Sequence, residues 1–440
     1  MVKVPLFLAV LVLCGPTSSA SQWPAWRGAG GDGICAESNL PVHWTTNQNV
    51  RWYVALPERG NSTPIVWSNR VFITQAISAL SRRTVICFDR QDGRQLWQNG
   101  LVSMEKECNS EANPQCTPSP VTDGQRVIAW FGSAGLFCYD LDGRQLWRRD
   151  LGKQTHTAGY ASSPVLYKEL CLLNFGPGDR SFLVAVNKRT GKTVWRYDFP
   201  PFGPHLKRED FGENLKAGQP IKTPKVSEVD GSWATPIVVP VEGHDELVAA
   251  VPLHLLGLAP ATGKKLWTCD GPNIGAYTSP FFGDGVVAFM GSGFRGTMLA
   301  VRPGGRGNVT ATHRLWFEYP QNGKVCLATG IISQRHIYQV TSSGFARCRD
   351  LATGNGVWEE RLVGPGADNG CWSSPLLAGD RLYVANRSAD VFILRTGPKF
   401  ECLATNSIGG ERMTASLAAA GGDLFLRTDK HLWCVSDRKD

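Results

Sequence analysis

The sequence predicts an all-β fold, an eight-bladed propeller of four-stranded antiparallel blades, and three repeating features predict it. The stretch 183–195 holds an apolar run, a polar turn closed by Thr190-Gly191, and a second run ending on Trp195. That is the order of two short strands joined by a hairpin. It recurs at 85–97, 136–147, 255–267 and 345–358, and more loosely at 298–316, at the roughly 40–50-residue spacing of a repeat array. Each repeat also opens on a small hydroxyl residue and Pro: Thr63-Pro64, Ser119-Pro120, Ser163-Pro164, Thr235-Pro236, Ser279-Pro280 and Ser374-Pro375, with Gly330-Ile331 and Ser416-Leu417 as degenerate copies. Proline at the first residue of a strand sacrifices little, because its missing N–H lies at the end of the ladder. Each repeat closes on an aromatic residue: Trp52, Trp97, Trp147, Trp195, Trp267, Trp316, Trp358 and, by substitution, Phe400. Eight openers and eight closers predict eight blades.

Taken in order, residues 1–20 have the form of a secretory signal. Lys3 supplies the charged start, 4–13 a short apolar core interrupted by Pro5, and Ser18-Ser19-Ala20 the small residues before a cleavage expected ahead of Ser21. Bulky Leu13 before Cys14 argues for soluble export over a lipid anchor. Beyond this segment nothing approaches ~18 uninterrupted apolar residues, so no transmembrane span is expected in the mature chain. Residues 21–48, beginning Trp23-Pro24-Ala25-Trp26-Arg27-Gly28, are expected as a lead-in lying against the body. The propeller then occupies 49–440. The strand around Trp52 looks like the last strand of a repeat with no repeat before it, while the copy at the far end lacks its final strand. The first is expected to complete the second, pairing an otherwise exposed edge and closing the ring.

Within the blades, runs such as 183–186 are apolar at every position, so both faces of each sheet need cover. Stacked neighbours provide it. The closing tryptophans are expected to dock over the next hairpin. Asp89, Asp140, Asn187 and Asp350 recur in the turns and are expected to hold them through side-chain-to-backbone bonds. A long insertion, 199–230, rich in Pro, Gly and charge, predicts an excursion from the face where blades connect, either a binding loop or a passive insertion. Cys87, Cys138 and Cys348, with Cys434 in the last copy, stand where the repeat at 183–195 has Ala185, which implies small buried side chains. Cys108 and Cys116 flank a polar loop at a separation compatible with a disulfide.

The 440 residues carry a formal charge of +8 with no long basic run, which argues against nucleic-acid binding. No C-x-x-C pair and no H-E-x-x-H occurs, so no metal site is expected. G-S-A-G at 132–135 is not a nucleophile elbow.

The recurring Ala-x-(Asp/Asn)-x-x-Thr-Gly-x-x-x-Trp pattern, best preserved from Ala185 to Trp195, resembles the docking motif of quinoprotein-type (PQQ-like repeat) propellers. That family includes pyrroloquinoline quinone (PQQ) dehydrogenases and the outer-membrane assembly lipoprotein BamB. Together with Trp23-Pro24-Ala25-Trp26-Arg27-Gly28 and the segments 130–143 and 302–307, the chain resembles bacterial envelope proteins with PQQ-like repeats. The resemblance spans about 49–435 and implies the fold; fold alone assigns no chemistry. In the dehydrogenases it implies PQQ and calcium in the central funnel, an adjacent Cys-Cys ring, calcium ligands from Glu and Asn, and an Asp base. This sequence has no Cys-Cys dipeptide and no C-x-x-C-H, and Asp368 and Glu411 stand as ordinary loop carboxylates.

The function expected is therefore a non-catalytic exported binding or scaffolding module of the bacterial cell envelope, periplasmic or extracellular, with no cofactor. A PQQ-dependent dehydrogenase with calcium and an altered cage, and a BamB-like assembly factor, are the alternatives. Residues preceding the openers should ring the channel mouth: Tyr160, Trp233, Tyr277 and Trp372, with His156 and Asn369 nearby. Such a rim suits an envelope protein, a peptide, a glycan or a small molecule; the competing expectation is that these side chains plug the channel.

Overall fold

The computed structural model describes residues 22–104, 110, 112–153, 158–178, 180–199, 231–272, 275–291, 296–319 and 325–438. The expected signal at 1–20 and nearly all of the insertion at 199–230 lie outside them, as do His156 and Cys108.

Eight antiparallel blades form the ring. The third blade is typical: Val165–Tyr167 innermost, then Leu170–Phe175, Phe182–Asn187 and Thr193–Asp198 at the outer edge. Alternation along a strand explains why these strands are apolar throughout. Cys171 and Leu173 join a core shared with the second blade, whereas Leu172 between them joins one shared with the fourth. Val71 and Ile73 likewise face the last blade and Phe72 the second. The joints are thus hydrophobic cores, and one continuous core joins the seventh, eighth and first blades.

The ring closes as the sequence implies. Val50–Ala55 pairs antiparallel with His431–Val435, setting Trp52 opposite Cys434 and Val54 opposite Leu432. The seam carries an ion cluster: buried Asp423 accepts from Arg90 Nε at 3.1 Å and Nη2 at 2.8 Å, and from Arg51 Nη1 at 3.2 Å.

The closing tryptophans show what the Thr-Gly and Asp-Gly turns are for. Trp195 lies over Gly263 in the next hairpin and donates its indole N–H to Pro260 O at 2.9 Å. Trp52, Trp97, Trp147 and Trp316 lie in the same way over Gly93, Gly143, Gly191 and Gly354, donating to Arg90 O, Leu141 O, Lys188 O and Leu351 O. Trp358 donates to Gly397 O at 3.0 Å. Gly263 is needed twice over: its φ is +69°, and a Cβ there would sit 2.5 Å from the Trp195 ring. In the turns Asp89, Asp140, Asn187 and Asp350 accept main-chain N–H bonds at 2.8–3.1 Å.

Two closers differ. Trp267 packs over Gly257 of its own blade and donates to Glu246 Oε2 at 2.6 Å, because the next hairpin is replaced by a longer excursion whose Gly307–Asn308 adds a parallel strand to the blade edge. Phe400 does not stand in the closing register. The residue across from Ile393, ahead of the bulge where the other blades place Trp, is Ala404. Phe400 instead packs edge-on against Trp358 at 5.3 Å. At the joint between the seventh and eighth blades, the lead-in contributes Trp44, whose backbone N–H bonds Asn406 Oδ1 at 2.9 Å while Asn406 donates back to Val42 O.

The lead-in lies against the body by bonding to the inner strands of several blades. Trp23 and Val66 exchange two backbone hydrogen bonds, and Pro24 O accepts from Thr122 N at 2.8 Å. Arg27 reaches Thr329 O and Gly330 O, and Ile34–Cys35 pairs parallel with Leu376–Ala378. One segment thereby ties the first, second, sixth and seventh blades together.

Candidate functional site: a hydroxyl-ringed funnel

The Thr/Ser-Pro openers converge on the channel axis. Because each begins an innermost strand, its backbone N–H meets the hydroxyl of the next blade's opener, and the eight form a closed circle of hydrogen bonds. Thr63 N donates to Ser119 Oγ at 2.8 Å, Ser119 N to Ser163 Oγ at 3.0 Å, and Ser163 N to Thr235 Oγ1 at 2.9 Å. Thr235 N donates to Ser279 Oγ, Ser279 N to Thr329 Oγ1, and Thr329 N to Ser374 Oγ. Ser374 N to Ser416 Oγ and Ser416 N to Thr63 Oγ1 at 3.2 Å complete it. The sixth member is Thr329, one residue ahead of the Gly330-Ile331 pair taken as the opener; Gly330 stands where the others have Pro. All eight residues are buried.

Above the circle opens a funnel of about 430 Å³, inside the range of small-molecule sites. Its wall includes the eight hydroxyls, Trp233, Tyr277, Leu327 and Trp372, and its floor is Trp26 of the lead-in. Trp233 and Tyr277 meet edge to face at 5.3 Å, and the Trp233 indole donates to Gly159 O at 2.8 Å. Arg387 stacks on Trp372 at 4.3 Å and pairs with Asp368 at 2.8 Å, fixing that ring. Asn61 and Asn113 also reach the wall, but their amide groups donate to Ala112 O and Ala158 O and so knit the loops.

The structure brings three of the sequence-chosen rim residues together, Trp233, Tyr277 and Trp372, and sets two elsewhere. Tyr160 is buried against Trp130, with its hydroxyl 2.7 Å from Ser133 Oγ. Asn369 is turned into its own loop, where Oδ1 accepts from Gly364 N at 2.9 Å and Asn386 Nδ2 at 3.2 Å.

Arg27 is the participant that sequence reasoning missed. Its left-handed backbone (φ +65°) swings a fully buried guanidinium onto three carbonyls, of Asp32, Thr329 and Gly330, at 2.5, 3.1 and 2.6 Å. Burial lowers its pKa to about 10, which leaves it charged at neutral pH. The signal was the Trp-Arg-Gly run itself, since Gly28, φ +78°, is the only residue type that clears the Trp23 ring.

No described funnel-lining residue is a carboxylate, imidazole, thiol or cation. The cysteines opposite the closing tryptophans, Cys87, Cys138 and Cys348, lie in the joints, where burial pushes each thiol up to about 12. Cys116 is buried; the pairing with Cys108 lies outside the described residues.

Three comparisons place the chain among known proteins. The family model described as "Outer membrane protein assembly factor BamB" matches at 38–175, 81–208 and 179–440. An outer membrane protein assembly factor BamB of Alkalilimnicola ehrlichii is 30% identical over 146 residues, which is 32% of this chain and 33% of that relative's length. The crystal structure of BamB from Moraxella catarrhalis superposes over 89% of this chain and 98% of its own with a TM-score of 0.61 at 13% identity, a likeness of fold. A europium-containing methanol dehydrogenase aligns over 85% of this chain and 89% of its own at 11% identity and a TM-score of 0.44, too distant to carry an argument. With the repeat motif explained by the Trp-on-Gly joints, and the match running through nearly all of the propeller, the chain belongs to the PQQ-like propeller family of the outer membrane protein assembly factor BamB.

Proposed function

We propose that this protein is an exported propeller of the bacterial cell envelope that binds or scaffolds and carries out no chemistry of its own. The observation that carries the reading is the make-up of the funnel: aromatic faces and hydroxyls engaged with the main chain. General acid–base catalysis requires a group that titrates within reach of the reacting atom, and the described lining offers no carboxylate, imidazole, thiol or amine, only the phenol of Tyr277. The same lining does not fit PQQ with calcium. It presents no carboxylate for the ion and no cation for the acidic groups of the quinone. Adding PQQ and Ca²⁺ to the purified protein should leave dye-linked oxidation of alcohols and sugars at background; turnover above background would overthrow the reading.

Membership of the BamB family supports a second, narrower form, in which the bound partner is a protein of outer-membrane assembly. Affinity isolation from an envelope extract, with the full chain and with 199–230 removed, separates the two. Recovery of β-barrel assembly proteins that depends on the insertion selects the assembly role, and their absence from both eluates rejects it.

A further inference from the structure

From the hydroxyl circle and its aromatic wall we infer that the funnel takes the end of a short, neutral glycan. The inference deepens the binding reading and rests on it. Each of the eight hydroxyls spends an acceptor lone pair on the preceding blade's N–H. Among the described residues none of them donates its own hydrogen to a protein acceptor. Eight buried O–H donors therefore face one cavity, each polarised by the bond it accepts. Such a ring calls for a ligand dense in oxygen acceptors. Buried donors without partners are costly, and ordered water fills the role until a ligand with matching oxygens displaces it.

Three further observations narrow the class. The described lining carries no charge, so nothing beyond the hydroxyl dipoles compensates an anion. Aromatic rings stand on different blades, Trp233 with Tyr277 on one side and Trp372 on the other, with Trp26 beneath. Sugars combine apolar C–H faces for such rings with hydroxyl and ring oxygens for the donors. Finally, Trp26 lines the funnel and its segment bonds to the inner strands of four blades, an arrangement that suits a chain terminus better than a threaded polymer. A peptide end satisfies the aromatic walls but offers few acceptors to a complete ring of donors.

The test is titration of the full chain with maltotriose, cellotriose and tri-N-acetylchitotriose, followed by calorimetry and intrinsic fluorescence. Sodium phosphate and N-acetyl-trialanine amide serve as the competing classes. At least one trisaccharide should bind saturably with one site per chain. Trp372→Ala should weaken it about tenfold or more, the loss typical of an aromatic anchor. Tyr277→Ala should also weaken it and substitutes if the first variant fails to fold; Tyr53→Ala, on the outer face and 55% exposed, should not. Failure of all three sugars to bind overturns the inference. So does tighter, Trp372-dependent binding of the peptide or of phosphate, which leaves the binding reading standing. Turnover with PQQ and Ca²⁺ removes that reading, and the inference with it.

Discussion

Gly263→Ala isolates the contact on which the ring is built. The added methyl meets two separate penalties. A left-handed residue with a Cβ costs roughly 1–2 kcal/mol. The methyl would also stand 2.5 Å from Cε3 and 2.7 Å from Cδ2 of Trp195, so the indole must lift. Trp195 is 8% exposed, and an aromatic residue of this kind buries ~150–250 Å², worth roughly 4–6 kcal/mol. Losing about a third of that burial adds ~1–2 kcal/mol, for a total of ~2–4 kcal/mol. The assay is urea unfolding followed by near-ultraviolet circular dichroism, performed on Gly263→Ala, Trp195→Ala and the double variant. In the Trp195→Ala background only the backbone penalty remains, so the cycle should show a coupling of about 1–2 kcal/mol. A Gly263→Ala cost that is the same with and without Trp195 would refute the docking argument.

Three other outcomes are expected. Asp423→Ala should destabilise by about 3–5 kcal/mol in urea, because it strands Arg90 and Arg51 at the closing seam; trypsin should then release the strand containing Trp52 sooner than in the parent. His244 is hydrogen-bonded by Glu246, which raises its pKa above the usual ~6.5. Its stabilisation is complete below that value and lost as pH rises through the folded-state pKa, so His244→Gln should flatten that limb of the stability–pH curve. In the native protein Ellman's reagent should modify exposed Cys402, and Cys402→Ser should lose that reaction, while Cys87, Cys138 and Cys348, neutral and buried, react only on unfolding.

Much of the architecture was legible because it repeats locally. Cys87, Cys138 and Cys348 align with Ala185 since a tryptophan lies across each pair, and only a small side chain fits beneath it. The errors fall where the local marker was lost. With Gly330 in place of Pro, nothing in the sequence identified Thr329 as the residue whose hydroxyl completes the circle. Phe400 carried the right chemistry at nearly the right spacing, but the register is fixed by a bulge opposite Ile393, and this gave the place to Ala404. Tyr160 precedes an opener as Trp233 does, yet Ser133 and Trp130 in the neighbouring blade draw it inward. The course of the lead-in was illegible for another reason. Arg27 finds Thr329 and Gly330 about three hundred residues downstream, a pairing that no window of sequence displays.

The closing strand has a consequence for the order in which the molecule is made. Val50 is synthesised 385 positions before its partner Val435, so a nascent chain holds the Val50–Ala55 strand in reserve until its partner strand emerges. The lead-in is under the same constraint, since two of the carbonyls that capture Arg27 belong to the sixth blade. Both long-range joins are therefore made only after the intervening blades exist, and until then the early strand remains an open edge.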